Sequence, residues 1–164
     1  MTLALSGALS ACGGSGSEPV APRPESEHFN LADLQQLGCT VAVAPKRNLS
    51  RIPLMGEVDG YGMSSTTPCA TQLASLLQSA KYEDAVWVGV RTAAGNFAEK
   101  HGLARESQPG RLGEHSEIEI FSRDGTPVGF EYSVQARGRL HSVILMSDRL
   151  RPDAAFEALL QQKL

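Results

Sequence analysis

Residues 116–147 read SEIEIFSRDGTPVGFEYSVQARGRLHSVILMS, and this stretch decides the fold. Apolar and polar residues alternate in three runs, at about 116–122, 126–136 and 139–147. The pairs Asp124-Gly125 and Arg137-Gly138 separate the runs, and such pairs are typical of tight hairpin turns. The pattern therefore predicts a three-stranded antiparallel meander in the C-terminal part of the chain.

The length of the first turn sets the register of this meander. A two-residue Asp-Gly loop would place Ile120 opposite Gly129, whereas a three-residue loop over 123–125 places it opposite Val128. We expect the three-residue loop, because it pairs apolar residues with each other. One face of the central strand is then packed (Val128, Phe130, Tyr132, Val134) and the other is solvated (Gly129, Glu131, Ser133, Gln135).

Two predicted helices supply a cover for the packed face. Thr67-Pro68 begins a helix over about 68–82, whose apolar stripe is Ala70, Leu73, Ala74, Leu76, Leu77 and Ala80. A second helix over 152–163 has Pro152 in its first turn and the stripe Ala155, Phe156, Leu159 and Leu160. The predicted fold class is α+β: a mostly antiparallel sheet with a C-terminal three-stranded meander and helices packed on one face.

The other segments give weaker patterns. A short helix begins at the N-cap Asn30 and ends at Gly38, and a strand over 39–44 ends at Pro45. A Gly/Ser/Pro-rich loop then continues to Pro68, and residues 85–90 are predicted to form a central strand covered on both faces. Residues 95–115 are either a short helix broken by a glycine or a mobile loop.

Composition points to one ordinary globular domain and away from nucleic acid. The 164 residues are 41% hydrophobic and 20% charged, with a formal net charge of -3. The basic residues are scattered, as in Lys46-Arg47 and Arg137/Arg139, and no aromatic residues interleave with them to stack on bases. We therefore expect no nucleic-acid partner.

The N-terminus carries the sharpest motif. Residues 1–11 are small and apolar and lead into Leu9-Ser10-Ala11-Cys12. This tetrad resembles the lipobox of bacterial lipoprotein signal peptides at each of its positions. The resemblance implies that the Cys12 thiol carries a diacylglycerol, that the chain is cut before Cys12, and that the new amine is acylated, for example with palmitate. The basic region that usually precedes the apolar stretch is missing, since the first Lys or Arg is Arg23, and we expect an upstream start codon.

The chain is thus predicted to comprise a signal peptide (1–11), a lipid-anchored tether (12–27) and a single periplasmic domain (28–164). Residues 13–17 read GGSGS, and three prolines follow before residue 27, so this segment cannot pack a core. Gly13 after the cysteine implies, in the lipoprotein pattern, passage to the outer membrane. We expect a protein of the cell envelope that faces the periplasm.

The two remaining cysteines, Cys39 and Cys69, are expected to form a disulfide, because paired thiols oxidise in exported proteins. Closing a loop of this length stabilises a fold by roughly 3 to 4 kcal/mol in the chain-entropy model. A metal site or redox pair is disfavoured, since there is no C-x-x-C motif and no suitably spaced histidine.

No catalytic, metal or cofactor motif stands out. The histidines (His28, His101, His115, His141) lack ligand spacing, and Ser64 and Ser65 lie outside any nucleophile elbow. Glu117, Glu119 and Glu131 fall on the predicted solvated face, where charge pairing is the simpler interpretation.

The sequence therefore favours a non-catalytic protein-binding module over an enzyme. Its partner would be an envelope protein, as for an accessory of an envelope assembly or an inhibitor of a periplasmic hydrolase or toxin. The expected contact surfaces are segments 45–67 and 95–115 and the solvated face, with an exposed apolar patch at Ile52, Leu54, Met55, Tyr61 and Met63. The alternative is an envelope hydrolase that uses a loop serine or glutamate, and a Ser/His pair brought together by folding would favour it.

Overall fold

Seven strands form one sheet in the parts of the chain that the structure, a computed structural model, describes: residues 21–52, 56–81 and 83–164. The strands are β1 (Lys46–Ile52), β2 (Gly56–Ser64), β3 (Gln72–Ser79), β4 (Ala104–Pro109), β5 (His115–Arg123), β6 (Thr126–Ala136) and β7 (Arg139–Met146). The α-helices are α1 (Leu31–Gln36), α2 (Glu83–Lys100) and α3 (Ala154–Gln161). The order is β1-β2-β3-β7-β6-β5-β4, and all neighbours are antiparallel. The predicted α+β class with an antiparallel sheet is confirmed.

The C-terminal meander is also confirmed, but its first turn differs from the prediction. Asp124 and Gly125 have φ values of 50° and 78°, so they form a two-residue loop, and the expected three-residue loop is wrong. Such a loop needs positive φ at both central residues, which Asp and Gly tolerate. A β-bulge between β5 and β6 then shifts the register, so that Ile120 lies opposite Phe130.

Two segments exchange their predicted secondary structures. The expected helix over 68–82 contains β3, and the expected strand over 85–90 lies inside α2. In β3 burial alternates along the strand, because successive side chains point to opposite faces of the sheet. The strand lies between β2 and β7. Pairing with two neighbours outweighs the helix propensity of its Ala, Leu and Gln residues. In α2 the buried residues recur at helical spacing (Val86, Trp87, Val90, Ala94, Ala98).

The segments expected to be loops hold strands at both edges of the sheet. Residues 45–67 contain the β1–β2 hairpin, whereas 39–44, the expected strand, form none. Residues 95–115 contain the end of α2 and strand β4, so a mobile loop is the wrong description. Gly102, with φ 61°, follows the end of α2 and lets the chain turn back into β4.

The first face of the sheet, which carries Tyr61, Ser75, Tyr132 and Val143, holds the main core. Helices α1 and α3 cover this face, and a set of buried residues fills the interface (Phe29, Leu34, Leu73, Phe130, Tyr132, Val143, Leu145, Phe156, Leu160). Asn30 caps α1 as predicted. Helix α3 begins after the N-cap Asp153, so Pro152 precedes the helix and does not lie in its first turn as was predicted.

The second face, which carries Gly60, Leu76, Ser142 and Glu131, packs against α2. Val86, Trp87 and Val90 form one cluster with Leu140, and Ala94 and Ala98 form another with Phe121. Helices therefore lie on both faces, and the expectation of one covered and one solvated face is not confirmed. The cause is that residues 83–100 form a helix, which supplies a second cover.

Cys39 follows α1 and Cys69 precedes β3, and both residues are buried. Their Cα atoms are 5.7 Å apart and their sulfur atoms lie at disulfide distance, as the predicted pairing requires. The pair joins the segment after α1 to the connection between β2 and β3. Across the described ranges, we find no helix long and apolar enough to span a bilayer.

Candidate functional site

A groove runs along the second face from β1 to the underside of α2. Its outer cavity, of about 200 Å³, is lined by residues of β1, β2 and β3 (Lys46, Asn48, Ser50, Val58, Gly60, Tyr61, Gly62, Ala74, Leu76). Its inner cavity, of about 160 Å³, is lined by strand and α2 residues (Val58, Leu76, Gln78, Gly89, Val90, Ala93, Glu131, Ser142). The two cavities share Val58 and Leu76 and therefore adjoin each other.

Two glycines of β2 line the outer cavity, and no side chain projects into it at these positions. A Cβ atom at Gly60 would lie 3.2 Å from the carbonyl oxygen of Asn48 and 3.4 Å from Cδ2 of Leu76. A Cβ atom at Gly62 would lie 3.0 Å from the carbonyl oxygen of Leu73. Both positions therefore favour glycine through close approach, and the absence of side chains leaves room above the strand.

Two buried carboxylates lie where the inner end of the groove meets the sheet. Glu119 and Glu131 are directly opposite each other on β5 and β6, with 4% and 3% of their surface exposed. Oε2 of each residue has no hydrogen-bond partner. Oε1 of Glu131 accepts a hydrogen bond from the Ser133 hydroxyl at 3.3 Å, and Nε of Arg105 lies 3.7 Å from Oε2 of Glu119.

This arrangement perturbs the acid–base chemistry of Glu131. Burial raises the pKa of Glu131 to about 7, and the negative charge of Glu119 acts in the same direction. The prediction of a solvated face for both glutamates is wrong, because both are buried and α2 packs on this face. Glu117 is different, because its hydrogen bond from Arg91 holds its pKa below the ordinary value.

Trp87 and Arg91 attach α2 to the second face. The indole Nε1 of Trp87 donates a buried hydrogen bond to Oε1 of Gln135 at 2.8 Å. Nε of Arg91 donates to Glu117 at 3.0 Å. These polar contacts position the helix that forms one wall of the inner cavity.

The first face contains a buried polar cluster around Ser75. The Ser75 hydroxyl lies 2.8 Å from Nε2 of His141 and 3.2 Å from Nδ1 of His28, and it accepts a hydrogen bond from the Phe29 N–H. Nε2 of His28 is 3.5 Å from Oδ1 of Asp59. The sequence of contacts from Asp59 through His28 to Ser75 has the connectivity of a catalytic Ser-His-Asp triad.

The serine and both histidines of this cluster are buried. Ser75 and His28 are fully buried, His141 is 2% exposed, and the cavity of about 420 Å³ beside Asp59 is lined by none of these three. Loss of hydration lowers the pKa of both histidines, that of His141 to about 3, so both rings are neutral at pH 7. The cluster forms hydrogen bonds within the core, and Nδ1 of His141 is the buried atom of the cluster that has no hydrogen-bond partner.

Sequence reasoning missed this cluster and the groove. The residues of the cluster are far apart in the chain. Asp59, Ser75 and His141 share only their polar character at positions of strands that also carry core residues, and His28 precedes α1. His141 lies in strand β7 and is 2% exposed. His101 and His115 are exposed, as surface histidines should be.

The predicted partner-binding residues are not brought together on the surface. Tyr61 and Met63 are 1% and 4% exposed, so the expectation that they form an exposed patch is corrected. Their position in β2 points both side chains into the main core, where the Tyr61 hydroxyl accepts a hydrogen bond from the Leu31 N–H at 3.1 Å. Ile52 is the last residue of β1, and Leu54, Met55 and the lipobox Cys12 lie outside the described residues.

No protein-family model matches the chain, and neither a curated protein nor a solved structure matches it. Within the described ranges, no group of three or more His, Cys, Asp or Glu side chains is arranged to hold a metal ion.

Proposed function

We propose that this chain is a membrane-anchored envelope lipoprotein that acts as a non-catalytic protein-binding module, with the groove as its contact surface. The observation that carries the proposal is the groove itself, which lies on the second face where α2 leaves β1 to β3 accessible. The partner is another envelope protein, either a component of an assembly or a hydrolase or toxin that the chain inhibits.

The composition of the groove supports a protein partner. Its floor is apolar or made of glycine, as at Leu76 and Gly60, while Lys46, Asn48 and Ser50 of β1 form a polar rim. An apolar centre with a polar rim is the usual anatomy of a protein interface. Strand β1 is also an edge strand, so a bound segment can approach the groove from its open side.

The anchoring part of the proposal depends on the lipobox and the tether. Acylation at Cys12 would hold the domain at the membrane, and the segment 12–27 would let it reach a partner some distance from the bilayer. Two acyl chains or more are needed for stable anchoring, which the expected modification supplies. The Cys39–Cys69 pair fits an oxidising compartment.

Site-specific photo-crosslinking in native envelopes tests the proposal. A photoreactive residue at Asn48, on the groove rim, should crosslink one stoichiometric protein, identified by mass spectrometry. The same residue at Glu106, an exposed position on the far edge strand β4, is the matched control and should not. Equal crosslinking from both positions, or none at Asn48, would contradict the proposal.

A pair of substitutions on α2 tests the role of the groove directly. Ala93→Trp places a large side chain at the inner cavity, whereas Thr92→Trp alters the neighbouring position, which does not line it. Both positions are exposed, so both variants should fold. We expect Ala93→Trp to abolish the Asn48 crosslink and Thr92→Trp to preserve it.

The second candidate function is an envelope hydrolase, and the contacts that join Asp59, His28 and Ser75 favour it. A fluorophosphonate probe labels serines that are activated and accessible. We expect no labelling of the native chain, because Ser75 is fully buried. Labelling that disappears in Ser75→Ala would replace the binding module with the hydrolase.

A further inference from the structure

The inner cavity combines apolar walls with a buried carboxylate. Val58 and Leu76 from the sheet and Val90 and Ala93 from α2 supply the apolar part of its lining. Glu131 completes the lining on the sheet side, together with the side chains of Gln78 and Ser142. The cavity therefore offers hydrogen-bond acceptors beside a surface that suits a hydrocarbon chain.

The charges around this cavity are not balanced. Glu119 and Glu131 are two acids, and the guanidinium of Arg105 lies 3.7 Å from Glu119 while its Nη1 donates to the carbonyl oxygen of Arg91 at 2.9 Å. Oε1 of Glu131 accepts a hydrogen bond from the Ser133 hydroxyl, its Oε2 has no hydrogen-bond partner, and the charge of Arg105 acts on this carboxyl group without a hydrogen bond to it. A buried carboxylate is stable in its ionised form only when a cation or several donors compensate it. Oε2 of Glu131 is therefore free to accept a hydrogen bond from a positive group.

We propose that the inner cavity binds a protonated alkylamine, with the ammonium group against the Glu131 carboxylate and the alkyl chain against the apolar walls. This inference rests on the proposed function, because the ligand enters through the groove. A free amine and a lysine side chain of a protein partner have the same chemistry, and the experiment below separates these two sources.

The chemistry of the cavity favours this group over its alternatives. An ammonium has three donors, which suit the Glu131 oxygen, the Ser142 hydroxyl and the Gln78 amide oxygen. An alcohol of the same length brings no charge, and a carboxylate is repelled by Glu131. The inner cavity, at about 160 Å³, is also smaller than the ~300–1,000 Å³ of pockets for whole drug-sized ligands, and it suits one unbranched chain.

Titration of the purified full chain with n-pentylamine, 1-pentanol and pentanoate tests the site. Binding is followed by the fluorescence of Trp87, the single tryptophan, and by NMR shifts of the lining residues. We expect pentylamine to bind at least tenfold more tightly than pentanol and pentanoate not to bind. Affinity for pentylamine should rise at least tenfold from pH 5 to pH 8, because Glu131 ionises over this range.

Two variants distinguish binding at Glu131 from an effect of removing any glutamate charge. Glu131→Gln preserves shape and should weaken pentylamine binding at least tenfold, while Glu106→Gln, at an exposed position on the edge strand β4, should leave it within twofold. Circular dichroism confirms that each variant is folded. Equal binding of pentylamine and pentanol, or unchanged binding in Glu131→Gln, would overturn the proposal.

A short peptide with one central lysine, and its glutamine counterpart, distinguish the sources. Competition between the lysine peptide and pentylamine supports a partner lysine, and binding of pentylamine alone supports a small amine. The Asn48 crosslink tests the proposed function separately. If the crosslink persists but amines do not bind, the inference fails and the proposed function stands; if amines bind without any crosslink, the protein-binding function fails.

Discussion

Replacing Glu131 with glutamine should stabilise the protein, and the gain should grow with pH. Glu131 is almost fully buried, its Oε2 has no hydrogen-bond partner, and Glu119 lies opposite it on the next strand. Glutamine has nearly the same shape but no charge. The substitution therefore removes the desolvation penalty of a buried, ionised carboxylate at this position.

The magnitude follows from the pKa of this carboxyl group. Burial raises it from the ordinary 4.5 to about 7 in the folded protein. A raised pKa means that Glu131 does not destabilise the fold below pH 4.5, and that stability is lost as the pH rises from there to about 7. At about 1.4 kcal/mol per pH unit, the variant should be more stable by about 1 kcal/mol at pH 5 and by about 3 kcal/mol at pH 8.

Urea denaturation at pH 5, 6, 7 and 8, followed by Trp87 fluorescence, measures this difference. Trp87 is 4% exposed and hydrogen-bonded to Gln135, so unfolding exposes it to water. Glu117→Gln is the control on the same face, and it should give no stabilisation at pH 8, because Arg91 lowers the pKa of Glu117. A difference between wild type and Glu131→Gln that is the same at pH 5 and pH 8 would refute the reasoning.

Three further predictions concern the rest of the chain. Burial lowers the pKa of His141 to about 3, so the neutral ring does not destabilise the fold above pH 6.5, and stability is lost as the pH falls below that value. In urea denaturation, the free energy of unfolding of the wild type should therefore fall by about 2 kcal/mol more than that of His141→Gln between pH 7 and pH 5, and an equal fall in both proteins would contradict this. Replacing Cys39 and Cys69 with serine should lower the free energy of unfolding by roughly 3 to 4 kcal/mol, and reaction of both native thiols with maleimide in denatured, unreduced protein would contradict the disulfide. Cys12→Ser should leave an uncleaved precursor without palmitate label, whereas retained label would rule out the lipid anchor.

Much of the C-terminal half was predictable because its contacts are local. Strands β5 to β7 pair with their immediate neighbours through two-residue turns, and period-two alternation states which side chains share a face. The first turn of the meander was still predicted incorrectly. A β-bulge shifts the register between β5 and β6, so Ile120 pairs with Phe130 although the loop has only two residues. A bulge leaves no clear signal in the alternation, so the register was assigned incorrectly.

The helix and strand predictions were wrong where a short apolar run is compatible with both the helical period of 3.6 residues and the strand period of two residues. Residues 72–79 read QLASLLQS and suit a helix by composition, but the sheet needs a strand between β2 and β7. Residues 85–90 read AVWVGV and suit a strand, yet they begin a helix whose stripe continues to Ala98. Short runs of this kind take the structure that their tertiary neighbours require.

The sequence by itself determined the resemblance of Leu9-Ser10-Ala11-Cys12 to a lipobox, the pairing expected of Cys39 with Cys69, and the meander, because each depends on residue type or on neighbours in the chain. Only the tertiary structure decided what surrounds Ser75 and Glu131. The groups that bury or compensate these side chains come from positions as distant as His28 and His141, or from α2 folding over β6. The hydration of Ser75 and the charge environment of Glu131 depend on which groups pack around them, and these groups come together only when the chain folds.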